Sequence, residues 1–465
     1  MSNFKLFLIF ILTTLILFSG EINSQESKEL SPFEEKKQKL KEMMEKARAK
    51  KRESGNYFNS LESALPKSGT LTELNLRDND ISTLSSAIGK FTKIQKLDLS
   101  KNSLSELPAE LAQCTSLETI LLDMNNFEQF PSVLSKMPNL KFITLRGNKI
   151  TSFECDFTQM NSIDRIVLTT NKIEKIDIKG KSNSLRELSL DQNELTELPA
   201  SLTNLKALKL LDVSTNKIKS IEPVMGITTL TNINVSRNSL PSLPENIGNL
   251  GSLSLIDISF NYISKIPDSF AKLTSLNFID LGSNKISSLP DLSKINNLKV
   301  FKIANNKSDV FPLKLSQVKS LKELDISKNN LSEFPEGISS LVLLEEINAQ
   351  FNNISKIDEK ITSLSALRQL NLSNNELNSI SPLIGNLKEL TTINLSHNKL
   401  SQLPDQFGEL KSLVALWLTG NEISKLPDSI KNLEKLKILY LKENPVPEQE
   451  KANINKLLPN ARIAY

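Results

Sequence analysis

A curved α/β-type repeat solenoid, with a parallel β-sheet along its concave face and mostly irregular or 3₁₀ backbone on its convex face, is the fold class that this sequence predicts. Three observations lead there. Asparagine recurs at 79, 102, 125, 148, 171 and onward to 421 and 444, seventeen positions separated by 22 or 23 residues. A fixed period of that length is the signature of stacked structural repeats. Before each asparagine stands LxxLxL, from Leu71, Leu74 and Leu76 before Asn79 to Leu436, Leu439 and Leu441 before Asn444, with Ile, Val or Phe as occasional substitutes. Ten repeats place Pro six residues after the Asn, as in Leu107-Pro108 and Leu403-Pro404. Its fixed φ and missing N–H suit a segment without regular helix.

The LxL step has period two, so each repeat offers a short strand with two apolar side chains inward and its other residues outward. Stacking joins the strands into a parallel sheet at about 4.8 Å spacing, and sixteen to eighteen strands are expected. The Asn enters the turn where the chain leaves the strand. Its amide holds both donor and acceptor and is able to satisfy backbone groups of its own and the adjacent turn. This pattern, LxxLxLxxNxLxxLPxxIxxL over Leu71 to Val446, resembles the leucine-rich repeat family, which implies a horseshoe-shaped solenoid.

Composition agrees with one long repetitive body. Gly is only 14 of 465 residues, hydrophobic content is 39% and charged content 24%, which excludes collagen-like and Gly-rich linker chains. Lys+Arg 57 against Asp+Glu 53 leaves +4, too balanced for a nucleic-acid surface or a polybasic membrane patch. One His and two Cys are too few for a structural zinc site of four clustered ligands.

Taken in order, residues 1–25 read as a signal peptide: Lys5 precedes the apolar or Thr stretch Leu6 to Phe18, followed by Ser19, Gly20 and polar chain. As a helix that stretch spans about 20 Å, short of the ~30 Å hydrocarbon core, so export is expected rather than a retained anchor. Ser19, Gly20 and Ser24 are the candidates for the last removed residue, and no Cys follows to accept a lipid. Residues 26–56 form a charged lead-in with ten Lys/Arg and seven Asp/Glu. Ser31-Pro32-Phe33-Glu34 reads as a capping box, and a solvated helix to Arg52 is expected; a partner-binding helix is the alternative.

Residues 57–70 form an N-terminal cap, with Leu61, Ala64 and Leu65 ahead of the first strand. Residues 71–446 hold the seventeen repeats. Residues 447–465 form a C-terminal cap, a short helix bearing Ile454, Leu457 and Leu458 followed by a last edge strand, because terminal rungs otherwise expose apolar core. The NSLESALP lead-in and the NPVPEQEKANINKLLPNARIAY ending resemble what surrounds the repeats in exported bacterial leucine-rich repeat proteins, which implies a secreted or envelope protein. Departures are local. The turns after Asn148 and Asn171 read FECDF and IDIKGKSNS without Pro and predict irregular convex backbone. Ser308 breaks an apolar position and Ala349 thins a strand, neither enough to interrupt the stack.

Chemistry-bearing motifs are missing: GxxxxGK[ST], GxGxxG, HExxH and GxSxG do not occur. The lone His397, beside Ser396, reads as a variable outward position. Leucine-rich repeat effectors that act as ubiquitin ligases carry a Cys-bearing domain after the repeats, whereas Cys114 and Cys155 here lie inside them. Cys114 takes a slot that is Leu250, Leu273 or Leu410 elsewhere, so it reads as a small buried hydrophobe. The two stand two rungs apart, about 10 Å, beyond the roughly 7 Å a disulfide tolerates, and two free thiols are expected. Asn234-Val235-Ser236 and Asn371-Leu372-Ser373 are glycosylation sequons produced by the strand pattern itself.

The outward face is then the functional surface. Positions seven, six, four, two and one before each Asn tile the concave sheet and carry sixteen basic and sixteen acidic residues, so no field of one sign exists. Most of the fourth-before column is Asp or Asn, such as Asp98, Asp212, Asp257, Asp280 and Asn394, interrupted by Lys302. A calcium row is conceivable there, but a solvated ladder is the reading taken. Two apolar departures stand out as candidate partner-binding residues. Leu255, Phe278 and Val300 occupy three consecutive rungs, with Phe260 nearby, and Trp417 and Tyr440 replace Asp/Asn beside Val414, Ala415 and Ile438. The aromatic pair could instead help cap the end, with Arg462 stacking on Tyr440. The expected function is non-enzymatic recognition of a protein ligand, host or envelope, by an exported monomer with no cofactor, metal, nucleic acid or span after signal removal. An envelope-structural role, or an enzyme with an unrecognised site, is the alternative.

Overall fold

The computed structural model describes residues 56–306, 315–357 and 359–465. The signal stretch, nearly all of the charged lead-in and Ser308 lie outside the described residues. Phe58 to Tyr465 forms one compact unit. Within it, each LxL step makes a three-residue strand, from Glu73–Asn75 to Ile438–Tyr440, and Arg462–Ala464 adds a last one. They pair in parallel, each with the next rung, into one 18-stranded sheet, the curved solenoid that the period implies. Register is strict: Leu74 faces Leu97, Leu211 faces Ile233 and Leu416 faces Leu439. In the seventeen repeat strands the middle residue points inward and is buried, while most flanking residues are partly or fully exposed. The period-two alternation thus becomes one continuous apolar column, and a slipped register would turn that column out to water.

The Asn column closes each rung to the next. Asn261 Nδ2 donates to the Val235 and Ile258 carbonyls at 3.0 Å each, while its Oδ1 accepts from Leu240 N–H at 3.0 Å. Asn125, Asn238, Asn375 and Asn421 repeat the arrangement. Buried backbone groups at a tight turn are costly when unpaired, which is why an amide recurs there. On the convex side short 3₁₀ turns dominate, and Pro108, Pro131, Pro199, Pro267, Pro404 and Pro427 each stand immediately before one. Extended φ near −65° to −79° at those prolines is what the ring imposes.

One expectation is corrected. The turns after Asn148 and Asn171 are not irregular: Ser152–Asp156 and Lys175–Lys179 pair in parallel as a separate two-stranded sheet. Both segments alternate, with Phe153, Cys155, Ile176 and Ile178 buried and Glu154 and Asp177 exposed. Lacking Pro, their amides are free to form a ladder. Gly180 ends the second strand at φ +69°, where an added Cβ would stand 3.0 Å from Thr158 N. Ala349 does not interrupt the stack; it is fully buried and its amide donates to Asn371 O.

At the first rung, Leu61–Ala64 is a short helix whose cap pairs Ser60 with Ser63, and Leu61 and Ala64 are buried. At the last rung, helix Glu448–Leu457 buries Ile454, and Arg462–Ala464 pairs with Ile438–Tyr440. No helix among the described residues is long and apolar enough to cross a membrane.

Candidate binding face

The sheet brings Leu255, Phe278 and Val300 directly side by side, in register and half-buried. Phe260 is not on the sheet face. It lies in the exit turn at φ +54°, 47% exposed, with the Arg237 guanidinium 4.0 Å over its ring. Tyr262, 56% exposed, continues that edge under Lys285. Near the C-terminal end Trp417 faces Tyr440 across the ladder, the rings parallel within 5° at 6.5 Å. Val414 and Ile438 are half-buried beside them, while Ala415 is buried. Arg462 does not stack on Tyr440, because it pairs with Ile438 and places Ala464 beside Tyr440. The register advances the cap strand by two residues relative to the expected column.

The Asp/Asn column has a structural cause that spacing alone did not reveal. Each of these side chains accepts from the amide two residues on: Asp257 from Ser259 at 2.9 Å, Asp280 from Gly282 at 2.8 Å, Asp325 from Ser327 and Asn394 from Ser396 at 3.0 Å. Trp417, Tyr440 and Lys302 offer no equivalent acceptor at those positions. These rungs forgo a local stabilising bond, so their side chains are departures with a structural cost of their own.

Charge is balanced overall but sorted by lane. The two columns on the sheet face, six and four before the Asn, are acidic, with Asp257, Asp280, Glu323, Asp325 and Glu346 grouped around Lys302. Lys302 bonds to Glu323 at 2.7 Å in the least exposed ion pair of the face. Burial and the neighbouring Asp257 push Asp280 up to about 7, opposed by the Gly282 amide and Lys302. Burial likewise raises Asp257, and raises Glu346 together with Glu323. The column seven before the Asn is basic instead, through Lys209, Lys299, Lys322 and Arg368. Counting the lanes separately would have exposed this pattern.

Other chemistry-bearing residues lie apart from these patches. His397 is exposed, at φ +54°, with its ring against Gly420. Cys114 and Cys155 are buried and free. Burial pushes their thiols up to about 11 and about 12, which holds them in the unreactive protonated form. A convex depression of about 330 Å³ lined by Ser135, Lys136, Cys155, Asp156 and Lys179 is therefore not a thiolate site. Among the described residues no group of three or more His, Cys, Asp or Glu is arranged to hold a metal.

Family models described as leucine-rich repeat region match residues 352–458, and models described as leucine rich repeat match 69–127, 228–286, 184–205 and 320–341. These segments together span more than half of the chain. No curated protein matches by sequence. Among solved structures, a leucine-rich repeat protein of Leptospira interrogans is 28% identical with a TM-score of 0.74, covering 88% of this chain and 99% of its own. The plant peptide hormone receptor RGFR1 in complex with RGF2 is 28% identical, with a TM-score of 0.62 over 81% of this chain and 62% of the receptor. The Arabidopsis receptor kinase HAESA, in complex with the peptide hormone IDA and the co-receptor SERK1, is 26% identical, with a TM-score of 0.56 over 82% and 72%. Repeat motif, ladder, sheet and these matches agree, and the chain belongs to the leucine-rich repeat family.

Proposed function

We propose that this chain is an exported, non-enzymatic recognition protein that binds a protein ligand through its concave sheet. One observation carries the reading: apolar side chains stand half-exposed in neighbouring rungs of a face where most other rungs carry polar ones. Leu255, Phe278 and Val300 form one such row, and Trp417 stacked on Tyr440 forms the other. An apolar cluster rimmed by charge is what the desolvated centre of an interface requires. Two similar structures are receptors solved with peptide hormones, which supports a peptide or protein as the ligand. Export rests on Lys5 and the apolar stretch that follows it.

Trp417→Ala and Phe278→Ala test the reading, each measured for melting temperature and for capture of a protein from extracellular extracts, identified by mass spectrometry. Each variant should keep its melting temperature and lose the captured protein by about thirtyfold in affinity, the scale of a hot spot worth about 2 kcal/mol. Trp417→Ala melting earlier with capture unchanged would make the aromatic pair a cap, and unchanged capture by both would remove the proposal.

A further inference from the structure

The apolar row at Leu255, Phe278 and Val300 does not stand alone on the concave face. Register places Asp257 and Asp280 next to each other in the adjacent column, two residues along the same strands as Leu255 and Phe278. The next rung contributes Lys302, already bonded to Glu323 at 2.7 Å, and the rung after it Asp325. Arg237, on the other flank, is stacked over Phe260. The two carboxylates accept from Ser259 and Gly282, but neither bond supplies a full positive charge. Two neighbouring carboxylates in partly desolvated surroundings repel one another, and a cation delivered between them relieves that repulsion.

We infer that the ligand segment seated here is a peptide carrying an aliphatic or aromatic side chain on the Leu255/Phe278/Val300 row and a Lys or Arg side chain on Asp257 and Asp280. This rests on the concave-face reading above and specifies its ligand. The flanking lanes sharpen the choice. Lys299 lines the strand-entry edge, beside Lys322 bonded to Glu345 at 2.6 Å, and Arg237 and Lys328 line the exit edge, so a cationic side chain is less favoured at either margin than at the acidic centre. An acidic peptide meets the reverse, its charge opposed where its apolar side chain would dock, and discrimination of this kind combines an attractive element with a repulsive one. Burial and the Asp257 charge raise Asp280 although Lys302 opposes the shift, in keeping with a centre whose acidic groups outnumber its cations. Lys302 opposes the charge of both Asp257 and Asp280, yet the centre sets Asp257, Asp280, Glu323 and Asp325 against it and so keeps a net negative charge.

The test uses the full chain and three pools of nine-residue peptides in a Gly/Ser background. One is randomised with Leu, Phe, Lys and Arg, one with Leu, Phe, Asp and Glu, and one with Lys and Arg alone. Binding is read by fluorescence anisotropy for the parent, for Asp257→Asn/Asp280→Asn and for Phe278→Ala, each checked for a cooperative melting transition no lower than the parent's. Asn already serves this column at Asn234 and Asn394 and keeps the local acceptor, so the double variant preserves the fold. The apolar–cationic pool should bind the parent, lose about tenfold in affinity in the double variant and also weaken in Phe278→Ala, while the purely cationic pool binds at least tenfold more weakly than it. Phe278-dependent binding of the acidic pool, or binding of the first pool that Phe278→Ala weakens and the double variant leaves unchanged, would overturn the ligand class but leave the concave interface standing. Binding by no pool, or binding that neither variant changes, would remove both.

Discussion

At the scale of single residues, the concave columns are governed by a competition between local backbone bonding and desolvation. Asp280 shows it most clearly. Its carboxylate accepts from Gly282 N–H, yet burial and the charge of Asp257 hold it up to about 7, above the usual carboxylate range. Lys302 on the next strand opposes that shift, and Asp325 beyond it adds to the repulsion. A carboxyl whose folded value lies above its unfolded value binds protons more tightly when folded. Its contribution is therefore fully present below about pH 4 and is lost as pH rises through about 7. Asp280→Asn keeps the acceptor and removes the charge. The difference in unfolding free energy between variant and parent should grow from pH 5 to pH 8 and reach on the order of 2 kcal/mol in the variant's favour. Urea titrations at those two pH values measure it; a difference independent of pH would show that Asp280 is an ordinary surface carboxylate.

At the scale of elements, the convex two-stranded sheet shows what the missing prolines allow. Ser152–Asp156 and Lys175–Lys179 share one register, and the second strand ends at Gly180 with φ +69°. A side chain there meets both an unfavourable left-handed backbone and the Thr158 amide at 3.0 Å. Gly180→Ala should cost roughly 1–2 kcal/mol. Gly251, with nothing within 4 Å of an added Cβ, is the control, and Gly251→Ala should leave the denaturation midpoint nearly unchanged. Equal effects at both positions would remove the conformational explanation.

At the scale of the whole molecule, each rung touches only its neighbours, so stability is a sum of repeats and interfaces rather than a property of one core. The C-terminal helix buries Ile454, and Arg462–Ala464 completes the ladder of Ile438–Tyr440. Removing residues 447–465 should expose that last strand. In hydrogen exchange, the amides of Ala415–Trp417 and Ile438–Tyr440 should lose at least about tenfold protection, whereas those of Glu73–Asn75, at the far end, keep theirs. Uniform loss along the chain would mean that the solenoid unfolds as a single cooperative unit.

The Asn period and the LxL alternation determined the solenoid, the parallel sheet, its strand register and the ladder, because each follows from nearest neighbours along one chain direction. The buried state of Cys114 was legible in the same way, from a slot that Leu fills in other rungs. Tertiary structure decided what depends on contacts between columns. It turned FECDF and KIDIK into a paired sheet, since a ladder needs a partner 23 residues away with matching register. It set Arg462 beside Ile438 rather than Tyr440, because the cap strand enters after a helix whose length breaks the repeat. The separation of acidic from basic lanes was legible in the sequence column by column, although the total charge of the face is nearly balanced. A count over the whole surface averages those lanes together, whereas side chains about 4.8 Å apart on one sheet feel each other before any average applies.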